Sequence, residues 1–208
     1  MFLDTLDPPT RLLFQQLGKE PLISSFFLAG GSALALHLGH RISSDLDFFS
    51  PSTYSMPELI NHLQLLGPLS IESQSADTLV GELNNVRVSF FTYPYPMIEE
   101  TILCDGVQLA SLLDIALMKI AAAGQRGTKR DFMDLYFLCQ QGFTLEGLLE
   151  RMPQKFPNVT YPSYHLLRAL AYFDDADRDE TAKMLKPAEW ETIRNFFSSE
   201  ANRLLESL

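Results

Sequence analysis

The sequence predicts an α+β fold, a mixed sheet with flanking helices followed by a helical lobe. Three observations carry this. Short apolar or alternating runs of strand length are confined to the first hundred residues. From Ser111 onward the apolar residues recur at helical spacing. Between these halves, Pro94 and Pro96 break either pattern. Strands and helices mixed, then helices alone, imply residues 1–100 as an α+β lobe and residues 101–208 as a helical lobe.

The elements follow in order. Pro8–Leu17 reads as an entry helix, stopped by Gly18 and Pro21. Ser25–Ala29 is too short for a helix and reads as a buried strand, broken by Gly30-Gly31. Ser32–His40 reads as a helix with Ser32 as its cap, and Asp45–Phe49 as a second strand closed by Ser50-Pro51. Pro57–Leu66 is a helix with Gly67-Pro68 as its stop. Leu69–Ser75, Asp77–Leu83 and Val86–Tyr93 read as three strands, the last two joined by Asn84-Asn85, a pair that tolerates positive φ. Helices are then predicted over Ser111–Ala123, Lys129–Gln140, Leu145–Arg151, Ser163–Phe173 and Pro187–Leu208. The last carries a docking stripe of Trp190, Ile193, Phe197, Leu204 and Leu208.

Composition narrows the function classes. The 208 residues are 46% hydrophobic and 20% charged, which excludes a disordered tail or a fibre. No run reaches the roughly 18–20 apolar residues that span a bilayer. Met1–Thr10 holds Asp4, Asp7, Pro8 and Pro9 but no basic residue, unlike a secretory leader. Cys104 and Cys139 have neither disulfide-framework nor zinc spacing and suit a reducing, cytoplasmic compartment. A net charge of −10 argues against non-specific coating of nucleic acid, although a local basic patch could still hold RNA or a nucleotide.

Two constellations could carry chemistry. In the first, Gly30-Gly31-Ser32 stands between a strand and a helix, where a phosphate can approach the backbone and meet the helix N-terminal amides. An ordinary strand-to-helix turn is the plainer alternative. Asp45 and Asp47 are two apart on a strand and so face the same side. Two adjacent carboxylates suit a hard cation such as Mg2+, whereas a solvated strand face would explain them without one. The second constellation is basic: Lys119, Arg126, Lys129 and Arg130 place four of the chain's 16 basic residues within twelve positions, a plausible clamp for a triphosphate or an RNA backbone. Asp131 and Asp134 follow at i and i+3 on one helix face. Thr128 and Asp131 form a capping-box pattern, while Asp134 lies beside the core stripe and calls for a basic partner, Arg130 or Lys119.

The run "LAGGSALALHLGHRISSDLDFFS" resembles the first motif of the nucleotidyltransferase superfamily, a glycine turn, a spacer and Asp-x-Asp. Gly30-Gly31-Ser32 with His40-Arg41-x-Ser43-Ser44-Asp45-Leu46-Asp47-Phe48-Phe49 is similar to the AbiEii/AbiGii toxin family. So is the later run from Lys119 through Arg126, Arg130, Asp131, Asp134, Leu135 and Tyr136. The resemblance covers about Phe26 to Leu138. It implies a nucleotidyltransferase-like fold and a magnesium-dependent toxin that transfers a nucleotide from an NTP to an acceptor such as tRNA. It also implies a cognate antitoxin encoded nearby. On this reading the triphosphate sits on Gly30, Gly31 and Ser32, with Arg41 and Ser44 as further substrate contacts. Asp45 and Asp47 hold Mg2+, and Lys119 with Arg126 or Arg130 steadies the triphosphate and leaving pyrophosphate. Asp134 or Asp131 orients the acceptor or its basic partners.

One departure stands out. Many superfamily members carry a third carboxylate on a later strand, where this sequence aligns Ser89. Glu72 and Glu82 lie on neighbouring predicted strands as substitutes. Ser89 keeps open an alternative, a catalytically lapsed module that binds nucleotide, RNA or a protein partner without transfer. His37 and His40 are three apart on a predicted helix, and His40 is read as fixing Arg41.

Overall fold

Alternation in Asp45-Leu46-Asp47-Phe48-Phe49-Ser50 assigns Leu46 and Phe48 to one face of a strand and Asp45, Asp47 and Phe49 to the other. In the computed structural model, which describes residues 1–125 and 127–208, this segment is strand β2 (Asp45–Ser50), with Leu46 and Phe48 fully buried. The chain divides into two compact units, Met1–Ser111 and Leu112–Leu208.

The first unit contains helices α1 (Pro8–Leu17), α2 (Gly30–Leu38) and α3 (Met56–Leu66). Its strands are β1 (Phe27–Ala29), β2, β3 (Leu69–Gln74), β4 (Thr78–Leu83), β5 (Val86–Thr92), β6 (Ile102–Cys104) and β7 (Val107–Leu109). Among the described residues they form one seven-stranded sheet, ordered β3-β4-β5-β2-β1-β7-β6. The sheet is mixed: β2 runs antiparallel to β1 and parallel to β5, and β1 runs parallel to β7. Leu28, Leu46, Phe48, Leu79, Val88 and Phe90 are fully buried, and Phe48 stacks on Phe90 at 5.1 Å. Helix α1 packs against β2 and β5, with Leu13, Phe14 and Leu17 buried.

Most expected boundaries hold within a residue or two. Asp7 caps α1 by accepting from the Thr10 amide, and the two prolines at its start cost the helix no hydrogen bond. Asn84 and Asn85 adopt φ of 53° and 64° in the β4–β5 hairpin, as their composition predicts. Strands β6 and β7 were not expected. Each has three residues, too few for a period to register, and the turn signal is the Asp105-Gly106 pair between them. Helix α2 begins at Gly30, two residues before the expected Ser32 start, because the Ser32 hydroxyl makes tertiary hydrogen bonds and does not cap.

The second unit contains α4 (Leu112–Ala123), α5 (Lys129–Cys139), α6 (Leu145–Lys155), α7 (Ser163–Leu170) and α8 (Trp190–Leu205). Helix α4 is apolar almost all round and packs against α5, α6 and α7, as such a helix must. Ile193, Phe197, Ala201 and Leu204 of α8 are buried, but Leu208 is exposed because the helix ends at Leu205. Phe132 centres an aromatic cluster with Phe173, Trp190 and Phe197, at centroid distances of 5.1–5.9 Å. No helix of the described residues is long and apolar enough to cross a membrane.

Lys155 at the end of α6 donates to Asp114 in the first turn of α4 at 2.7 Å, with neither side chain exposed. Burial pushes the Lys155 ammonium below its usual range, and the hydrogen bond to Asp114 opposes that. Removing one member leaves the other charge buried, so Lys155→Ala should cost about 3–5 kcal/mol. An Asp114→Ala/Lys155→Met double variant should recover part of that loss. Urea unfolding of the three proteins checks both statements.

Candidate active site

The β1–β2 register sets Ala29 opposite Asp47, so the turn into α2 starts beside the second carboxylate. Gly30 has φ +67°, and a Cβ there would lie 3.0 Å from Asp47 Oδ2. The Asp47 carboxylate therefore faces the glycine turn, in space that only a residue without a side chain leaves open. At Gly31 a Cβ would lie 2.0 Å from Arg41 Nη2, so the buried Arg41 side chain lies against the turn's second residue. The Ser32 hydroxyl donates to the Asp45 carbonyl and shares a 2.8 Å hydrogen bond with Ser43 Oγ. Arg41 Nη1 donates to the Ile42 carbonyl at 3.1 Å and to Ser43 Oγ at 3.3 Å. Gly30, Gly31, Ser32, Arg41, Ser44, Asp45 and Asp47 thus lie on one connected stretch around the start of α2 and β2. Both carboxylates are half-buried on one strand face.

On the other side of β2, Asp45 pairs with Arg87 and Asp47 with Ser89 in the parallel β2–β5 register. Ser89 is buried beside Asp47, the position at which the sequence aligns a missing third acid. Glu72 is engaged by Arg87 at 3.0 Å. Glu82 is exposed on β4, which pairs with the far side of β5, so it stands two strands, roughly 10 Å, from β2.

The second constellation lies within the helical unit. Lys119 Nζ is 2.9 Å from Asp131 Oδ1 and 2.7 Å from Asp134 Oδ2, with all three side chains largely buried. Asp134 has Lys119 as its partner, one of the two that its position calls for. Asp131 does two things: its amide donates to the Thr128 cap, and its second oxygen accepts from the Thr128 hydroxyl at 2.7 Å. Lys129, grouped with the basic clamp in sequence, is used otherwise. It is buried, its Nζ donates to the Asp179 carbonyl at 2.6 Å, and it sits over the Trp190 ring. Arg130 is exposed at the start of α5, and Arg126 lies outside the described residues.

His37 and the two cysteines have structural explanations. His37 Nε2 donates to the Ala110 carbonyl at 2.9 Å, and burial lowers its pKa. Burial raises both thiols, with Cys139 pushed up to about 12, so neither ionises readily near neutral pH. No group of three or more His, Cys, Asp or Glu side chains is placed to hold a metal among the described residues. A protein-supplied metal shell here would consist of the Asp45 and Asp47 oxygens.

Sequence reasoning missed the N-terminal partners of this stretch. The Ser43 amide donates to the Thr5 carbonyl at 2.8 Å, the Thr10 hydroxyl donates to the Ser44 carbonyl at 3.0 Å, and Ser44 hydrogen-bonds the Asp7 carboxylate. The one local signal was Asp7 as a helix cap, which says nothing of a partner more than thirty residues away.

The fold matches the crystal structure of a proposed nucleotidyltransferase from H. pylori over 99% of this chain and 95% of that one, at 19% identity and a TM-score of 0.58. It also matches MenT4, a nucleotidyltransferase toxin from Mycobacterium tuberculosis H37Rv, over 93% of this chain and 84% of that one, at 15% identity and a TM-score of 0.53. These likenesses define the class by fold, the α+β nucleotidyltransferase fold. The model of the family described as nucleotidyl transferase AbiEii toxin, type IV toxin–antitoxin system, matches residues 11–205. The uncharacterized protein aq_aa25 of Aquifex aeolicus (strain VF5) is 35% identical over 191 residues, 89% of this chain and 91% of the relative. The chain belongs to the AbiEii nucleotidyl transferase toxin family, and by that membership it is a nucleotidyltransferase. Membership favours the transferase over the lapsed module.

The hydrogen bonds around Asp7 give a pH prediction. Burial raises its pKa, but the Ser44 and Thr10 hydrogen bonds outweigh that and bring it below the usual 3.8. Its contribution to stability is therefore present above 3.8 and lost as pH falls through the lower folded value. Urea unfolding should show wild type more stable than Asp7→Ala at neutral pH, with the gap narrowing well below pH 3.8.

Proposed function

We propose that this chain transfers a nucleotide from a nucleoside triphosphate to an RNA acceptor such as tRNA, with Mg2+ held by Asp45 and Asp47. The observation that carries the reading is the Asp47 carboxylate lying against Gly30 where α2 begins. A phosphate placed at the α2 N-terminus would meet its first amides and positive dipole end beside Asp47, with Asp45 on the same strand face. Mg2+ takes oxygen ligands and keeps several waters, so two carboxylates completed by phosphate oxygens fit it. When bound, the ion would offset phosphate charge as the pyrophosphate leaves. Arg41 and Ser44 are proposed as further contacts for the triphosphate. Lys119, oriented by Asp131 and Asp134, is proposed as the cation for the leaving group, and Arg126 or Arg130 as a contact for the triphosphate or the RNA backbone. Ser89 cannot accept the acceptor's proton near neutral pH, so Asp134 is proposed to orient that hydroxyl and take its proton as the new P–O bond forms and pyrophosphate leaves, with Asp131 as its alternate. A cytoplasmic setting and an antitoxin encoded nearby complete the proposal, on the strength of family membership.

Incubating the protein with each NTP, Mg2+ and total tRNA, and following pyrophosphate release and label on RNA, tests the activity. Asp45→Ala or Asp47→Ala should lower transfer by more than about a hundredfold, beyond what losing a ligand's supporting partner costs. Both variants should still unfold cooperatively, which separates a lost ligand from a lost fold. Unchanged transfer in either variant refutes the assignment.

Ser89 provides an independent check. Ser89→Asp would add a buried acid beside Asp47, so the apo variant should melt below wild type. Mg2+ should restore more stability to it than to wild type, because an ion that binds the folded state stabilises by mass action. Calorimetric melts with and without Mg2+ decide this. Equal Mg2+ responses would mean that Ser89 is not at the metal.

A further inference from the structure

The family match begins at residue 11, yet the segment before it is stitched to the loop that leads into the Asp pair. Leu6 forms a parallel bridge with Ser43. The Ser43 amide donates to the Thr5 carbonyl at 2.8 Å, and the Asp7 amide donates to the Ser43 carbonyl at 3.3 Å. One residue on, the Thr10 hydroxyl donates to the Ser44 carbonyl at 3.0 Å, and the Asp7 carboxylate accepts from the Thr10 amide at 3.0 Å and from Ser44. Thr5, Leu6 and Thr10 are at most 3% exposed. Ser43 is held on its other side by Ser32, which belongs to the glycine turn, and by Arg41, whose guanidinium lies against Gly31. Residues 43 and 44 are thus clamped between α2 and the N-terminal segment, and Asp45 is the next residue.

We propose that Thr5–Thr10 is a positioning element of the transferase site, with Asp7 and Thr10 as positioning residues that act on Asp45 through Ser43 and Ser44. The inference rests on the reading of Asp45 and Asp47 as metal ligands. An octahedral ion tolerates little error in where its carboxylates stand, and groups behind the ligands set that geometry. The Ser44 carbonyl belongs to the peptide that carries the Asp45 amide, so the Thr10 hydroxyl controls the plane from which Asp45 starts. A segment that only stabilised the fold would shift the unfolding midpoint and leave metal affinity alone.

The test uses the full chain and Mn2+ alone, whose free concentration is read directly by electron paramagnetic resonance. Wild type should bind Mn2+ in a manner lost in the Asp45→Ala/Asp47→Ala double variant. Thr10→Val keeps the side-chain shape but cannot donate to Ser44, and should weaken Mn2+ binding about tenfold while still unfolding cooperatively. Thr10→Ser keeps the hydroxyl and should bind as wild type does. Asp7→Ala, acting through Ser44 and Thr10, should weaken binding in the same direction and serves if Thr10→Val does not fold. Wild-type Mn2+ affinity in folded Thr10→Val or Asp7→Ala overturns the positioning role and leaves the metal assignment standing. Mn2+ binding that survives loss of both Asp45 and Asp47 overturns the metal assignment, and the positioning role with it.

Discussion

Much of the first unit depends on how the start of helix α2 is held against strand β2. The Ser32 hydroxyl reaches the Asp45 carbonyl and Ser43 Oγ, and Gly30 leaves its side-chain space to the Asp47 carboxylate. A buried hydroxyl spent on a tertiary partner cannot cap its own helix, and α2 accordingly starts two residues earlier than a serine cap would set it. The same contacts keep the glycine turn and the acid pair at one end of the sheet, because β1 and β2 are antiparallel neighbours joined through that helix. The central strand buries Leu46 and Phe48 on its opposite face, so a one-residue slip would move both acids into the core. Register, core and candidate site are one constraint.

The second unit follows a related logic with charge in place of backbone. Lys119 is largely buried and lies within 2.9 Å of two carboxylates, and Lys155 is fully buried on Asp114. Buried ions persist where partners and hydrogen bonds answer them. In Lys119, Asp131 and Asp134 the arrangement holds one ammonium of α4 between two carboxylates of α5, and the Thr128 cap ties Asp131 to the start of α5. Lys129 shows how little a run of basic residues says about availability. It stands ten positions from Lys119, and its ammonium is held by the Asp179 carbonyl and the Trp190 ring.

Features with local causes were legible in the sequence. Helix α1 was bounded by Pro8 at its start and by Gly18 and Pro21 at its end, the β4–β5 hairpin by two asparagines, and the Asp pair by the i, i+2 rule of a strand. The motif residues Gly30 to Asp47 could be gathered because they are close in the chain. What depended on distant contacts was not legible. Nothing near Gly31 announces that the Arg41 side chain lies against it, and nothing near Thr10 announces Ser44 as its partner. Three-residue strands such as β6 and β7 carry no period, since one alternation cannot be told from chance. The Ser32 assignment erred for the same reason: local propensity names a cap, and tertiary hydrogen bonding gave the hydroxyl another use.

The central claim is that the glycine turn and the Asp pair together form a seat for a metal–triphosphate group. Crystals of the protein soaked with Mn2+ and inorganic tripolyphosphate, with data collected at the manganese absorption edge, test it most directly. An anomalous peak in contact with both Asp45 and Asp47, with phosphate density at the amides of Gly30 to Ser32, is the predicted result. A manganese peak elsewhere on the chain, or phosphate density bound away from the start of α2, would contradict it.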